Sequence, residues 1–469
     1  MLSKQSFFYI CWGLISTLFI VIALYFDGTG GNGDSVFHYL YAKYAWEDYS
    51  LFFNHWAKPL FTMVSSPFAQ FGFTGIKIFN VLASSFSVLF AYKIAKIFNL
   101  KYAHLIFIPL FAAPLFFRVM FSGLTEPFSA FLLTAFILLW LTNNRNWAII
   151  LISFVPFVRS EGLILLGVIL VYLVWTKNWR YTPLLFVGHL IISLLGLAYY
   201  NDILWVFNKI PYAKLSSVYG DGNWTHFINQ LYFCLGPITY LLLIIGLLKI
   251  VSELFLTNRK TAYFNERLFL VYGIFLAFFV SHTTFWVLGI FNSMGLNRVF
   301  VTVFPLIGII SIEGLDWLTK LLPHRTEKTV VSILLLITIV FTCLHNPASI
   351  DFKNDLNLDA GQKLVKKEIV PYLNSKFENK IYMTGDLSFA LYSNRNIFNP
   401  NECLLLYDKK PQLLEDTNFV FIWDPWFAPI EGNLNLEELK KSDRLKVDTV
   451  FKTVGTKKDT LEYIIFRRK

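Results

Sequence analysis

Hydrophobic residues run along this chain in long stretches that short polar loops interrupt. Most of these stretches approach the length of about 20 apolar residues that a membrane-spanning helix needs. We predict spans near residues 6–26, 75–97, 102–118, 123–142, 146–158, 161–176, 182–206, 229–256, 267–290, 298–319 and 328–345. The segment 146–176 is either two short helices or one long helix kinked around Pro156 and Arg159. The pattern predicts a mainly α-helical bundle with about eleven spans.

The pattern changes in the last quarter of the chain. Residues 351–380 alternate charged and apolar positions with a helical period, and strand-like runs follow at 381–383, 419–423 and 461–466. A helical segment at 436–439 lies between the last two runs. We therefore expect a transmembrane domain over residues 1–345, with a first outer loop at 27–74, and a small soluble α/β domain over residues 346–469.

Composition supports this division and excludes a soluble protein. Hydrophobic residues make up 55% of the chain, charged residues only 15%, and the mean hydropathy is +0.53. The net charge of +10 does not indicate nucleic-acid binding, because the basic residues are scattered over short loops. Every second loop along the chain carries these basic residues. By the positive-inside rule this predicts a protein of the plasma (inner) membrane with a cytoplasmic N-terminus and an extracytoplasmic soluble domain.

The four cysteines show neither disulfide nor metal spacing, and no Asp-x-Asp pair indicates a metal-bound nucleotide sugar. We expect no cofactor and no metal.

Candidate chemistry begins in the first outer loop, with Asp34 and Lys58. Ionisable groups at the mouth of a membrane bundle mark a functional site by default, although both residues can also be solvated loop charges. A lipid-linked sugar phosphate at this depth needs a carboxylate to take a proton from the acceptor and a cation to stabilise the departing phosphate. One acid with several cations suits single displacement with inversion, whereas a retaining enzyme needs two paired carboxylates.

Three further residues of this loop are possible substrate contacts. Asp27 is the alternative base, although it ends the first span, where an acid is unremarkable. His38 lies one helical turn after Asp34, and His55 lies three residues before Lys58. Both histidines can equally be structural.

Four more charged residues face the same side in the predicted topology. Arg159 either binds the phosphate or simply pairs with Glu161. Arg298 begins a span at the outer face and is a second phosphate ligand, unless its side chain only reaches back to the membrane surface. Glu126 begins a helix. It either caps that helix, where a negative charge is favourable in any case, or contacts the substrate.

A series of short motifs resembles one known family. The series comprises Ala-Lys-Pro-Leu at 57–60, Gln-Phe-Gly-Phe at 70–73, Ile-Phe-Asn-Val-Leu at 78–82, Ala-Tyr-Lys-Ile-Ala-Lys at 91–96 and Ser-Gly-Leu-Thr-Glu-Pro at 122–127. In this order they resemble the C-type (GT-C) membrane glycosyltransferases that use polyprenyl-phosphate sugars, especially the bacterial branch of protein O-mannosyltransferases and aminoarabinose transferases. The resemblance covers residues 27–165. It departs from the family in having one proline after the lysine and no second acid beside the first.

The resemblance implies Asp34 as the base and Lys58 as a ligand of the donor phosphate. From their predicted positions, Arg298 or Arg159 would help Lys58 to hold the phosphate. It implies transfer of a hexosyl or pentosyl unit from the lipid carrier to a protein, lipid or glycan acceptor. Two alternatives stay open: a glycolipid or sugar carrier (flippase), and a non-catalytic subunit of envelope-polysaccharide assembly.

Overall fold

The computed structural model describes residues 3–30, 33–211, 216, 219–255, 263–344, 347–349, 351–356, 358–406, 418–455 and 459–469. Residues 31–32 of the predicted first loop, residues 256 and 345 at the ends of predicted spans, and residue 357 of the predicted amphipathic helix lie outside this part. The α-helices are α1 Lys4–Tyr25, α2 Asp34–Tyr44, α3 Pro59–Ala69, α4 Gly72–Ile97, α5 Phe107–Phe111, α6 Pro114–Val119, α7 Glu126–Leu141, α8 Arg145–Ile152, α9 Gly162–Trp175, α10 Val187–Tyr200, α11 Trp205–Asn208, α12 His226–Leu235, α13 Pro237–Phe255, α14 Phe264–Glu266, α15 Ile274–Val287, α16 Phe304–Thr319, α17 His324–Cys343, α18 Ala360–Leu364, α19 Val370–Phe377, α20 Ser388–Ser393 and α21 Leu436–Lys440.

The apolar helices form a membrane bundle, as the sequence predicts. Seven helical segments within the described residues are long and apolar enough to cross a membrane: Lys4–Tyr25, Gly72–Ile97, Trp179–Tyr200, Pro237–Phe255, Phe264–Val287, Asn297–Thr319 and His324–Cys343. Three shorter apolar segments accompany them, Glu126–Leu141, Arg145–Phe157 and Gly162–Trp175. The segment Asn297–Thr319 is enclosed by its neighbours, whereas α1 and α17 expose apolar side chains at the rim, where lipid takes the place of packing partners.

Proline breaks two of the predicted single spans. The span predicted at 102–118 is two short helices, α5 and α6, because Pro114 disfavours a helical conformation at Ala113 before it. The span predicted at 229–256 is divided into α12 and α13 at Gly236–Pro237, since proline begins a helix readily but cannot continue one. The segment 146–176 forms two helices, α8 and α9, separated by a short 3₁₀ turn at Val155–Phe157.

The C-terminal region forms a five-stranded sheet. Its strands are β1 Ile381–Thr384, β2 Cys403–Leu405, β3 Phe419–Trp423, β4 Leu445–Val454 and β5 Thr460–Arg468. Their order is β2-β1-β3-β5-β4, with β1 parallel to β2 and β3, and β5 antiparallel to β3 and β4. The sequence predicted β1, β3 and β5. It missed β2, which is only three residues long, and β4, whose exposed edge carries mixed polar residues.

The helix before the sheet is shorter than predicted. It begins at Ala360 rather than at 351, because the Asp359 side chain accepts a hydrogen bond from the Gln362 amide at 2.7 Å and caps it there. Leu364 and Ile369 of this helix share a buried apolar cluster with Tyr39 and Leu40 of α2. Helix α2 is therefore held between the bundle and the soluble domain, which places its first residue at the boundary between the two.

Candidate active site

A cavity of about 660 Å³ lies between the bundle and the soluble domain. This volume falls within the range of about 300–1,000 Å³ that small-molecule sites occupy. The membrane side contributes Asp34, Trp56 and Arg298, among others, and the soluble domain contributes Asp386 and Trp426. We call these two sides the floor and the roof of the cavity.

Two glycines fix the position of Asp34 on the floor. Gly33, with φ +60°, lets the chain turn sharply into α2, so that Asp34 is the first helical residue. The next residue, Ser35, donates to the Thr29 carbonyl at 2.7 Å and accepts from the Gly123 amide at 2.8 Å. A Cβ atom on Gly123 would meet the Ser35 carbonyl oxygen at 2.2 Å, so only glycine allows this approach.

A chain of alternating charges extends from Asp34 into the bundle. The Arg298 guanidinium pairs with the Asp34 carboxylate, and its Nε lies 3.5 Å from Oε1 of Glu126. Glu126 is fully buried and also pairs with Arg159 at 2.6 Å, while Arg159 pairs with Glu161 at 2.7 Å. Residues from four distant parts of the sequence thus share one network, in which each guanidinium contacts two carboxylates.

The network answers two questions that the sequence left open. Arg159 pairs with Glu161, as one alternative held, but it also contacts Glu126 and donates to Thr125 Oγ1 at 3.2 Å. Arg298 points to Asp34 rather than to the membrane surface. Burial, the largest single effect on the Asp34 carboxyl, disfavours its charge. The charge and hydrogen bond of Arg298, together with smaller contributions from His38 and Arg159, outweigh burial, so the pKa of Asp34 lies below its ordinary value.

Lys58 differs from the two arginines in its surroundings. Its Nζ donates to Ser160 Oγ at 2.7 Å, and within the described part of the chain it forms no direct ion pair. Burial lowers the pKa of the Lys58 ammonium to about 8. The backbone of Lys58 is left-handed, with φ +69°, and Pro59 begins α3 immediately after it. Such strain at a non-glycine residue is typical of functional sites.

The two histidines of the first loop are both buried. The His38 ring stacks on Trp56, with ring centroids 4.9 Å apart, and its Nδ1 has no hydrogen-bond partner among the described residues. Burial lowers the pKa of His38 to about 3, with the Lys58 charge acting in the same direction, so the ring is neutral at physiological pH. His55 Nε2 lies 2.9 Å from the Val206 carbonyl oxygen and ties the loop to α11.

Asp27 stands apart from this network. Its carboxylate pairs with Lys366 of the soluble domain, and its backbone amide donates to Asp355 at 2.8 Å. The structure therefore brings Asp34, Arg298, Glu126 and Arg159 into one chain of contacts, and links Lys58 to that chain through Ser160, the residue between Arg159 and Glu161. Asp27 instead lies in a contact between the two domains.

The acidic residues of the roof are functional candidates that could not be recognised from the sequence. Asp359, Asp386, Asp424 and Glu431 line the cavity from the soluble domain. Asp424 follows directly after β3, and Asp386 follows β1 after one glycine, Gly385; the sequence did predict both strands. The carboxyl ends of neighbouring parallel strands meet at one edge of a sheet. Burial and the nearby Asp386 carboxylate raise the pKa of Asp424 to about 7.

Among the residues that the structure describes, no group of three or more His, Cys, Asp or Glu side chains is arranged to hold a metal ion.

The fold and the cavity define a polytopic membrane protein whose soluble domain covers a charged site at one end of the bundle. Comparison with solved structures finds the same fold in ArnT from Cupriavidus metallidurans. The structure of ArnT bound to undecaprenyl phosphate has a TM-score of 0.62 and 12% identity, over 97% of this chain and 97% of that chain. The apo structure of ArnT has a TM-score of 0.65 and 12% identity, over 99% and 98%. No protein-family model and no curated protein sequence matches the chain.

Proposed function

We propose that this protein transfers a sugar from a polyprenyl-phosphate carrier to a hydroxyl group of an acceptor. The main support is that the Asp34 carboxylate lines the cavity, while the buried Lys58 ammonium is linked through Ser160 to the charged network that begins at Asp34. The fold shared with ArnT supports the proposal, because one of the ArnT structures holds undecaprenyl phosphate. The motif resemblance over residues 27–165 points to the same class of reaction.

The reaction is a single displacement. The acceptor oxygen attacks the anomeric carbon of the sugar and forms the new glycosidic bond, while its proton passes to the Asp34 carboxylate. The bond from the anomeric carbon to the phosphate oxygen breaks, and its electron pair leaves with the lipid phosphate. Lys58 stabilises that charge, because an ammonium without a paired carboxylate is the available cation for an incoming anion. Attack opposite the leaving group inverts the anomeric centre.

The Arg298–Asp34 pair gives this mechanism a resting state. In the protein alone, Arg298 holds Asp34 ionised and weakly basic. A donor phosphate that draws Arg298 away weakens this pair, which raises the basicity of Asp34 when an acceptor is to be deprotonated. Glu126 keeps both guanidinium groups in place because it contacts Arg298 and Arg159 together.

The placement of charges favours a transferase over a carrier. In the candidate spans every Asp, Glu, Lys and Arg lies within two turns of a helix end, and near the centre of Trp179–Tyr200 the sequence has a histidine, His189. A translocation path for a charged headgroup needs polar groups at mid-depth. We place the site on the extracytoplasmic face of the plasma membrane, because the short basic loops lie at the opposite end of the predicted topology. That the transfer needs no metal or cofactor stays a prediction.

The test is transfer of radiolabelled sugar from polyprenyl-phosphate donors to endogenous acceptors in membranes. Asp34→Asn should reduce transfer at least about a hundredfold, which is the scale of a lost general base. Asp27→Asn is the matched control: it also removes one carboxylate from the first outer loop, but one that pairs with Lys366, away from the network. Equal transfer by wild type and Asp34→Asn would remove Asp34 from the mechanism, and loss of transfer in Asp27→Asn alone would assign the base to Asp27.

A further inference from the structure

The floor and the roof of the cavity carry charge differently. Every charged residue that the soluble domain contributes to the described lining is acidic, namely Asp359, Asp386, Asp424 and Glu431. The cationic groups of the site belong to the bundle. An anionic group is therefore attracted to the membrane side, where the lipid phosphate lies in the proposed function, and is repelled by the roof.

The topology of the sheet marks the roof as a place where ligands bind. The chain runs from β1 to β2 on one side and then returns to β3 on the other side of β1, with all three strands parallel. In open α/β sheets, ligands bind outside the carboxyl ends of the strands, at the point where the strand order reverses. Asp386 follows β1 and Asp424 follows β3, so both line the cavity at that point.

Aromatic side chains complete this half of the cavity. Asp424 accepts hydrogen bonds from the Trp426 amide at 2.9 Å and the Ala428 amide at 3.2 Å, and this holds the loop after β3 in a fixed shape. Trp426 and Phe427 of the loop line the cavity, and Trp426 is 52% exposed with no ring stacked on it among the described residues. Tyr463 contributes a third ring from β5.

We propose that the roof binds the acceptor, and that the acceptor is a glycan without phosphate or carboxylate groups. Sugar hydroxyl groups donate hydrogen bonds, and carboxylates are acceptor-only partners for them. Sugar C–H faces carry slight positive charge and pack against the electron-rich faces of aromatic rings. A peptide backbone matches this lining less well, because it offers one N–H donor per residue where a sugar ring offers several hydroxyl groups. A phosphorylated headgroup is repelled by the carboxylates. This inference rests on the proposed function and assigns its acceptor class.

The test replaces Trp426 with the photo-crosslinking residue p-benzoylphenylalanine in the full chain, in the cells that normally make the protein. The matched control places the same residue at Trp147, which is 68% exposed and lies at the opposite end of the bundle. The crosslinked protein is digested with protease, and the peptide that carries the captured material is analysed for attached sugar, foreign peptide, phosphate and uronic acid. In parallel, photoreactive undecaprenyl phosphate is applied to membranes with the wild type, the Trp426 variant and Lys58→Met.

Each outcome has one meaning. Uncharged glycan captured at position 426 and not at 147 is the expected result. Capture of a polypeptide or of a phosphate- or carboxylate-bearing lipid or glycan, or no capture above that at position 147, would overturn the acceptor class. The lipid probe separates this failure from that of the proposed function. If the lipid probe labels the wild type and the Trp426 variant but not Lys58→Met, the variant is folded and its donor site is intact. If the lipid probe does not label the wild type, the result counts against the proposed transferase function itself.

Discussion

Replacing Lys58 with methionine should weaken binding of undecaprenyl phosphate by about 10- to 150-fold, since a hydrogen bond to a charged group contributes about 1.5–3 kcal/mol. Coulomb's law at an effective dielectric constant of about 20 gives about 4 kcal/mol for unit charges about 4 Å apart, which sets an upper bound. Methionine has nearly the length of lysine, so the change removes the charge and leaves the packing largely intact.

The pH dependence is the sharper measurement. Burial lowers the pKa of Lys58 to about 8, so the ammonium is present at pH 7 and is lost as the pH rises through that value. Binding should therefore be strongest between about pH 6, above which the lipid phosphate is a dianion, and pH 8. One unit above the pKa, about a tenth of the protein carries the charge, and affinity should be about tenfold lower. An ordinary lysine, with a pKa of about 10.4, would show no such fall below pH 9.

The assay is fluorescence titration of the detergent-purified protein with undecaprenyl phosphate between pH 6 and pH 9.5. Lys58→Arg should bind without the alkaline fall, because a guanidinium stays charged over this range. Lys320→Met, at an exposed lysine at the other end of the bundle, is the matched control and should follow the wild type. A flat wild-type profile, or the same fall in Lys58→Met, would refute the assignment of Lys58 to the phosphate.

Two further variants test how the site is held together. Glu126→Gln should lower the unfolding free energy by about 3–5 kcal/mol, because two guanidinium groups lose the buried carboxylate that they share. Thermal melting in detergent measures this loss, with the exposed Glu437→Gln as the control. Equal melting temperatures of the two variants would show that water compensates the missing charge. Gly123→Ala should lower the unfolding free energy by about 1–3 kcal/mol, and it should reduce transfer because the added carbon displaces Ser35 and with it Asp34. Gly167→Ala is the control and should leave transfer unchanged, because no atom lies within 4 Å of the added carbon. Undiminished transfer by Gly123→Ala would mean that the start of α2 is not fixed by this contact.

Much of the architecture could be read from the sequence because it depends on local periodicity. Long apolar runs predict membrane helices wherever they occur, and seven of the described helical segments are long and apolar enough to cross a membrane. Where the structure departs from these predictions, a local residue is responsible. Pro114 and Pro237 divide spans that hydropathy alone joins, and the Asp359 cap starts a helix nine residues later than predicted, at Ala360 rather than 351.

The contacts within the site could not be read in this way. Asp34 and Arg298 are 264 residues apart, and only the packing of the bundle makes them a pair. Sequence alone left Arg298 with two alternatives, because the direction of its side chain depends on what lies beside the helix. In the same way, Glu126 is an ordinary helix-capping acid by sequence and the shared partner of two arginines in the structure.

Local pattern along the chain therefore accounts for the membrane bundle and the soluble α/β tail, and it singles out Asp34 and Lys58 as candidates because charge is costly near a membrane. That Asp386 and Asp424 line the same cavity as Asp34 follows from the tertiary fold alone. The reason is that the sequence of a strand determines which side chains lie on each face of the sheet. The position of its carboxyl end beside other strands depends on the order of the strands in the sheet.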